Sequence, residues 1–178
     1  GVCMDEAQDN VYVVNRRDIT DEEKETSTSA PSIIKFNAAG DVLASWGDQT
    51  TVPGSIHGRF VDSEKNVYVA GNADAIVQKY GPDGKLLLQI GTRGKFDSVD
   101  GTRRGKGNNL ARDQLHMPAA VVIDPDNGDI YVADGYGNRR VVVFDAPYVD
   151  LRRSPRTRGL VAWGAHDPGT VAAARPAD

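Results

Sequence analysis

The sequence predicts an all-β fold built from three four-stranded units, and three observations carry that expectation. An apolar core recurs as VYVVN from Val11, VYVAG from Val67 and IYVADG from Ile130, at spacings of 56 and 63 residues. Each core follows an apolar run that ends in Asp and a turn, so Asp5, Asp62 and Asp124 hold one structural position. Each core precedes a polar loop and a second apolar strand, IIKFNAAGD, IVQKYGPDGK and VVVFDAPYVD. Strand, turn, strand, loop, strand, turn, strand at this period is the pattern of β-propeller blades.

The first unit spans residues 1–47 and closes on Trp46-Gly47. Its core strand places Val11 and Val13 on one face and Tyr12 and Val14 on the other, and a strand apolar on both faces must be covered on both sides. The second unit spans 55–91 and closes on Ile90-Gly91; the third spans 117–164 and closes on Trp163-Gly164. Asn37 to Asp41, Gly81 to Lys85 and Pro125 to Gly128 supply the Gly, Pro, Asn and Asp that hairpin turns need. Two insertions interrupt the plan. Residues 18–30 are acidic and rich in Ser and Thr, too polar for a core. Residues 92–113 carry Arg93, Lys95, Arg103, Arg104, Lys106 and Arg112 among glycines, and a loop of this length is either a solvated excursion or part of a ligand-facing surface. Residues 165–178 have no strand pattern and read as a tail.

Composition narrows the function classes. Aromatic residues make up 7% of the 178, with 19 glycines and 9 prolines, which suits short strands joined by tight turns. The net charge of -4 makes nucleic acid an unlikely partner for the chain as a whole, since such binders show a strongly basic face. Cys3 is the single cysteine, so neither an internal disulfide nor a cysteine-based metal cluster is expected. No stretch approaches 18 apolar residues, and no membrane partner is expected. Localisation is unreadable.

The units resemble NHL repeats, through VYVVNRRD, IHGRFVD, KYGPDGKLLLQIGTRG and MPAAVVIDPDNGDIYVADGYGNRRVVVFD, over nearly the whole of residues 1–164. The resemblance extends to bacterial NHL proteins related to the lyase domain of peptidylglycine α-amidating enzymes. In that lyase family a zinc ion held by three histidines sits in the central channel, with a Tyr and an Arg beside the substrate. By position the resemblance puts the first zinc ligand on His57, the tyrosine on Tyr136 in DGYGN and the arginine on Arg16, with Arg17 beside it as a ligand-binding residue. The other two histidines belong to later blades; the equivalent of His57 in the third unit is Ala119, and His116 lies three residues early. One imidazole does not hold a zinc ion tightly, so the metal site is either completed by another chain or absent.

Other residues invite a different metal chemistry. Asn72, Asp74, Asp134 and Asn138 lie in loops between the second and third strands of their units, where they would converge to hold calcium as in lactonase propellers, or would serve local hydrogen bonding as Asp and Asn commonly do in such loops. Gly101 to Asn108 lacks the spacing and hydroxyl of a phosphate-binding loop, and Asp124 to Asp129 departs from a calcium-binding loop in its glycine position.

Three blades leave both ends of the stack bare, so the expectation is half of a six-bladed ring, closed as a homodimer. The leading functional expectation is a ligand-binding or interaction scaffold for a small molecule or peptide; the alternative is a metal-dependent lyase or hydrolase, with zinc or calcium, whose site is completed in the oligomer.

Overall fold

A computed structural model describes residues 1–16, 19–48 and 50–145, and the backbone of 157–162. Arg17, Trp163, His166 and the expected tail lie outside the described residues. No α-helix occurs among the described residues, and the acidic insertion contains one 3-10 turn at Glu23–Glu25. No helix of the described residues is long and apolar enough to cross a membrane.

Three four-stranded antiparallel sheets follow one another along the chain. The first holds β1 (Val2–Met4), β2 (Asn10–Val14), β3 (Ile33–Asn37) and β4 (Val42–Trp46). The second holds β5 (Ile56–Val61), β6 (Val67–Gly71), β7 (Ile76–Tyr80) and β8 (Leu86–Ile90). The third holds β9 (Ala120–Ile123), β10 (Ile130–Asp134), β11 (Arg140–Phe144) and β12 (Thr157–Ala162). Each sheet is a simple meander, and β5 lies beside both β1 and β9, which makes the first strand of every sheet the innermost one.

The repeated Asp has a repeated task. The backbone N–H of Asp5, Asp62 and Asp124 donates to the carbonyl of Asn10, Asn66 and Asp129 respectively, closing the same hairpin in each blade. The carboxylate of Asp5 accepts from the backbone and side chain of Asn10, and that of Asp62 from the same groups of Asn66. Burial alone would raise the Asp5 pKa, but these bonds and the nearby Lys65 outweigh it and hold the pKa below its ordinary value.

Apolar alternation then sorts side chains between blades. Val67 and Val69 of β6 pack with Tyr12, Val14 and Ile33 of the first blade, while Tyr68 and Ala70 pack with Val121, Ile123, Val132 and Phe144 of the third. The middle blade is therefore covered on both faces, as its sequence requires. Among the described residues the end blades are covered on one. Val2 is 56% exposed and Met4 47% on the first blade, and Val122 is 51% and Tyr131 39% exposed on the third.

Candidate functional site

His57 stands at the start of the innermost strand of the middle blade. Pairing slips there: Ile56 is opposite Gly71 and Gly58 opposite Ala70, so His57 is the unpaired residue of a β-bulge. Ser55, at φ 50°, is in the left-handed region just before it, and its carbonyl accepts from the N–H of Asn72. A bulge re-aims the side chain it carries. Here the imidazole meets residues from both neighbouring blades.

Arg16, just past β2, places Nη2 3.1 Å from His57 Nε2. Tyr136, in the loop from β10 to β11, places Oη 3.4 Å from His57 Nδ1, and the two rings meet edge to face with centroids 4.9 Å apart. A guanidinium only donates, so Nε2 must offer its lone pair to Arg16. The ring proton then sits on Nδ1 and is donated to the tyrosine oxygen. Tyr136 keeps its own O–H for a ligand, and at 57% exposure the ring is open to one.

The loop that carries Tyr136 is fixed from below. The N–H groups of Gly137 and Asn138 donate to the His116 carbonyl, and that of Tyr136 to the Met117 carbonyl. Gly137 lies so close to the His116 ring that a β-carbon there would overlap it. His116 is 1% exposed, with Nε2 3.0 Å from the Arg103 carbonyl.

Asp134 and Asn138 belong to that support. Asp134 accepts from the His116 N–H, Asn138 Nδ2 and Arg140 Nε, at 2.7, 2.8 and 3.0 Å. Asn138 also donates to Asp97, which pairs with Arg140 at 3.1 Å. Arg140 donates in addition to the carbonyls of Ala111 and Gln114, at 2.6 Å each. The second pair of candidates has other partners: Asp74 accepts from the Gly54 N–H at 2.7 Å and forms an ion pair with Arg93, and buried Asn72 accepts from Arg103 at 3.4 Å. The structure thus joins Arg16, His57 and Tyr136 in one cluster, joins Asp134 and Asn138 in a buried network, and leaves Asp74 with Arg93.

Two participants were not legible as such. Asp97 sits in the basic insertion, where a carboxylate reads as solvated, and Arg59 lies in the IHGRFVD segment, two residues from His57 on the same strand, where the resemblance gives it no role. Arg59 donates from Nη1 to the His57 carbonyl at 3.1 Å and from Nε to the Val2 carbonyl at 3.3 Å.

The zinc that the resemblance implies meets a poor fit in these residues. Among the described residues no three His, Cys, Asp or Glu side chains are grouped to hold a metal ion, and the Nε2 of His57 faces a guanidinium. A cation there would need its further ligands from outside the described residues, and would have to displace Arg16 if it bound through Nε2.

With this geometry in view, the NHL repeat profile matches residues 115–144, which include β9, β10, β11 and the Tyr136 loop. Residues 115–144 form an NHL repeat. The chain is 29% identical to human NHL repeat-containing protein 3 over 84% of its own length and 39% of that protein's. It is 34% identical to the Drosophila melanogaster peptidyl-alpha-hydroxyglycine alpha-amidating lyase 1 over 60% of its length and 17% of the lyase's. Among solved structures, a virginiamycin B lyase from Staphylococcus aureus superposes with a TM-score of 0.54 at 13% identity, over 96% of this chain and 41% of that one, and shares the fold. The chain therefore spans well under half the length of these relatives. The NHL repeat and the two blades before it share one strand plan, so the Tyr136 loop occupies the place in blade three that Asn72 to Ala75 occupies in blade two.

Proposed function

We propose that this chain is the ligand-binding part of an NHL-type β-propeller, with its site at the channel mouth formed by His57, Tyr136 and Arg16. The convergence of Arg16 and Tyr136, from the two neighbouring blades, on the His57 imidazole carries this reading, because none of the three lies near the others in sequence. A partly exposed imidazole between a donor and a hydroxyl gives hydrogen bonding, charge and an aromatic face within one small area, which suits a small molecule or the end of a peptide.

The second reading is a lyase, supported by the amidating lyase among the relatives. In it Tyr136 moves a proton at its Oη, His57 holds and orients that hydroxyl through Nδ1, and Arg16 stabilises negative charge developing on the substrate. Ring closure by a second copy, across the bare apolar faces of the first and third blades, belongs to both readings.

Incubation with a peptidyl-α-hydroxyglycine separates them. Binding that His57→Ala abolishes, without turnover, supports the scaffold. Turnover that Tyr136→Phe abolishes supports the lyase. Neither binding nor turnover of this compound, together with His57 and Tyr136 signals that respond to no small molecule in a screen, contradicts both.

A further inference from the structure

Beside His57 lies an open cleft of about 680 Å³, lined among others by Asn15, Arg16, Ser29, Ile56, His57 and Arg59. Its two guanidinium groups differ in their partners from those of Arg93 and Arg140. Arg93 is matched by Asp74, and Arg140 by Asp97 and Asp134. Among the described residues no carboxylate pairs with Arg16 or Arg59, in a chain whose net charge is -4. Both arginines also hold the same residue, Arg16 through the His57 ring and Arg59 through its carbonyl, so two guanidinium groups line one cleft around one residue. A guanidinium carries five N–H donors, and these contacts use one of Arg16 and two of Arg59. Like charges held together with spare donors are matched by an oxyanion, which accepts from both forks at once.

We propose that this cleft binds an oxyanion, and that Arg59 with Arg16 forms its clamp. The inference rests on the channel-mouth reading above and deepens it: the ligand carries a carboxylate or a phosphate-type group against Arg16 and Arg59. Its neutral remainder lies toward the Tyr136 hydroxyl on the other side of the imidazole. Arg59 then selects the ligand class without touching the Tyr136 side of the site.

The test is a titration of the full chain, followed through the His57 ring signals by NMR, with sodium acetate, inorganic phosphate and neutral acetamide at constant ionic strength. Saturable shifts with acetate or phosphate but not acetamide are expected, and the stronger of the two names the group. Arg59→Gln should weaken that binding by about tenfold or more, and Arg59→Lys, which keeps the charge without the fork, by less. Equal responses to all three compounds, or an affinity unchanged in Arg59→Gln, would overturn the assignment. Tyr136→Phe reports on the parent reading separately. If it shifts the His57 ring signals while no anion saturates, the channel-mouth site stands and the oxyanion clamp falls.

Discussion

Arg140 Nε donates to Asp134 Oδ2 at 3.0 Å with neither side chain accessible to solvent. The same guanidinium reaches Asp97 and the carbonyls of Ala111 and Gln114, so one buried charge ties residues 97–114 to the loop that carries Tyr136. Arg140→Met would leave two buried carboxylates unmatched, a loss of about 3–5 kcal/mol. Urea unfolding checks this, and backbone hydrogen exchange should rise first in residues 97–114. A loss below about 1 kcal/mol would mean that the network relaxes around the missing charge.

Trp46 of the first blade lies against the turn of the second. A β-carbon on Gly84 would stand 2.9 Å from the indole, and Gly84 has φ 79°, where any other residue is strained. Gly84→Ala should therefore cost about 1–3 kcal/mol, from overpacking and backbone strain together. Trp46 is only partly buried, so Trp46→Ala should cost about 2 kcal/mol rather than the loss of a fully buried indole. Thermal unfolding of the two variants compares them directly.

Alkaline pH offers a separate check on the blade interfaces. Burial pushes the Tyr12 and Tyr80 hydroxyls up to about 12 and that of Tyr68 higher still, the carboxylates of Asp5 and Asp62 adding to the effect at Tyr12 and that of Asp62 at Tyr68. A phenol whose folded pKa is raised stabilises the fold fully below its unfolded value of about 10, and that contribution is lost as pH rises toward the folded value. Stability should hold to about pH 10 and then fall. Tyrosine absorbance should titrate in an early phase, with Tyr12, Tyr68 and Tyr80 ionising only later or on unfolding. Ionisation of all six tyrosines in one step near pH 10 with the fold intact would contradict the packing.

The blades were legible because a period-2 apolar pattern between turn residues has few other solutions, and Val67 to Gly71 is buried on both faces as its sequence implies. Arg16, His57 and Tyr136 were marked by motif position alone. Their meeting depends on the bulge at His57, which pairing register creates and composition does not show. The 92–113 insertion hid its structural role for a physical reason. Charged residues among glycines read as solvated, and Asp97 becomes a buried partner only because Arg140 arrives from a strand more than forty residues later. Asp134 and Asn138, read either as calcium-site residues or as local hydrogen-bonding groups, turn inward, Asn138 donating to Asp134 and Asp134 accepting from Arg140.

The bare faces of the end blades make an assembly prediction. Val2 and Met4 on one side and Val122 and Tyr131 on the other should be covered in solution, by pairing of two chains about a twofold axis. Light scattering should give the mass of two chains, and Tyr131→Glu should shift it toward one. A stable monomer with cooperative unfolding would contradict the pairing.

His57 joins Arg16 to Tyr136, and its ring nitrogens report that junction most directly. Long-range nitrogen–proton NMR should show the neutral ring of His57 with its proton on Nδ1, since Arg16 can only donate to Nε2. Arg16→Ala should move the proton toward Nε2, and Tyr136→Phe should shift the Nδ1 signal while leaving the tautomer in place. A proton on Nε2 in the unaltered protein, insensitive to both substitutions, would contradict the site.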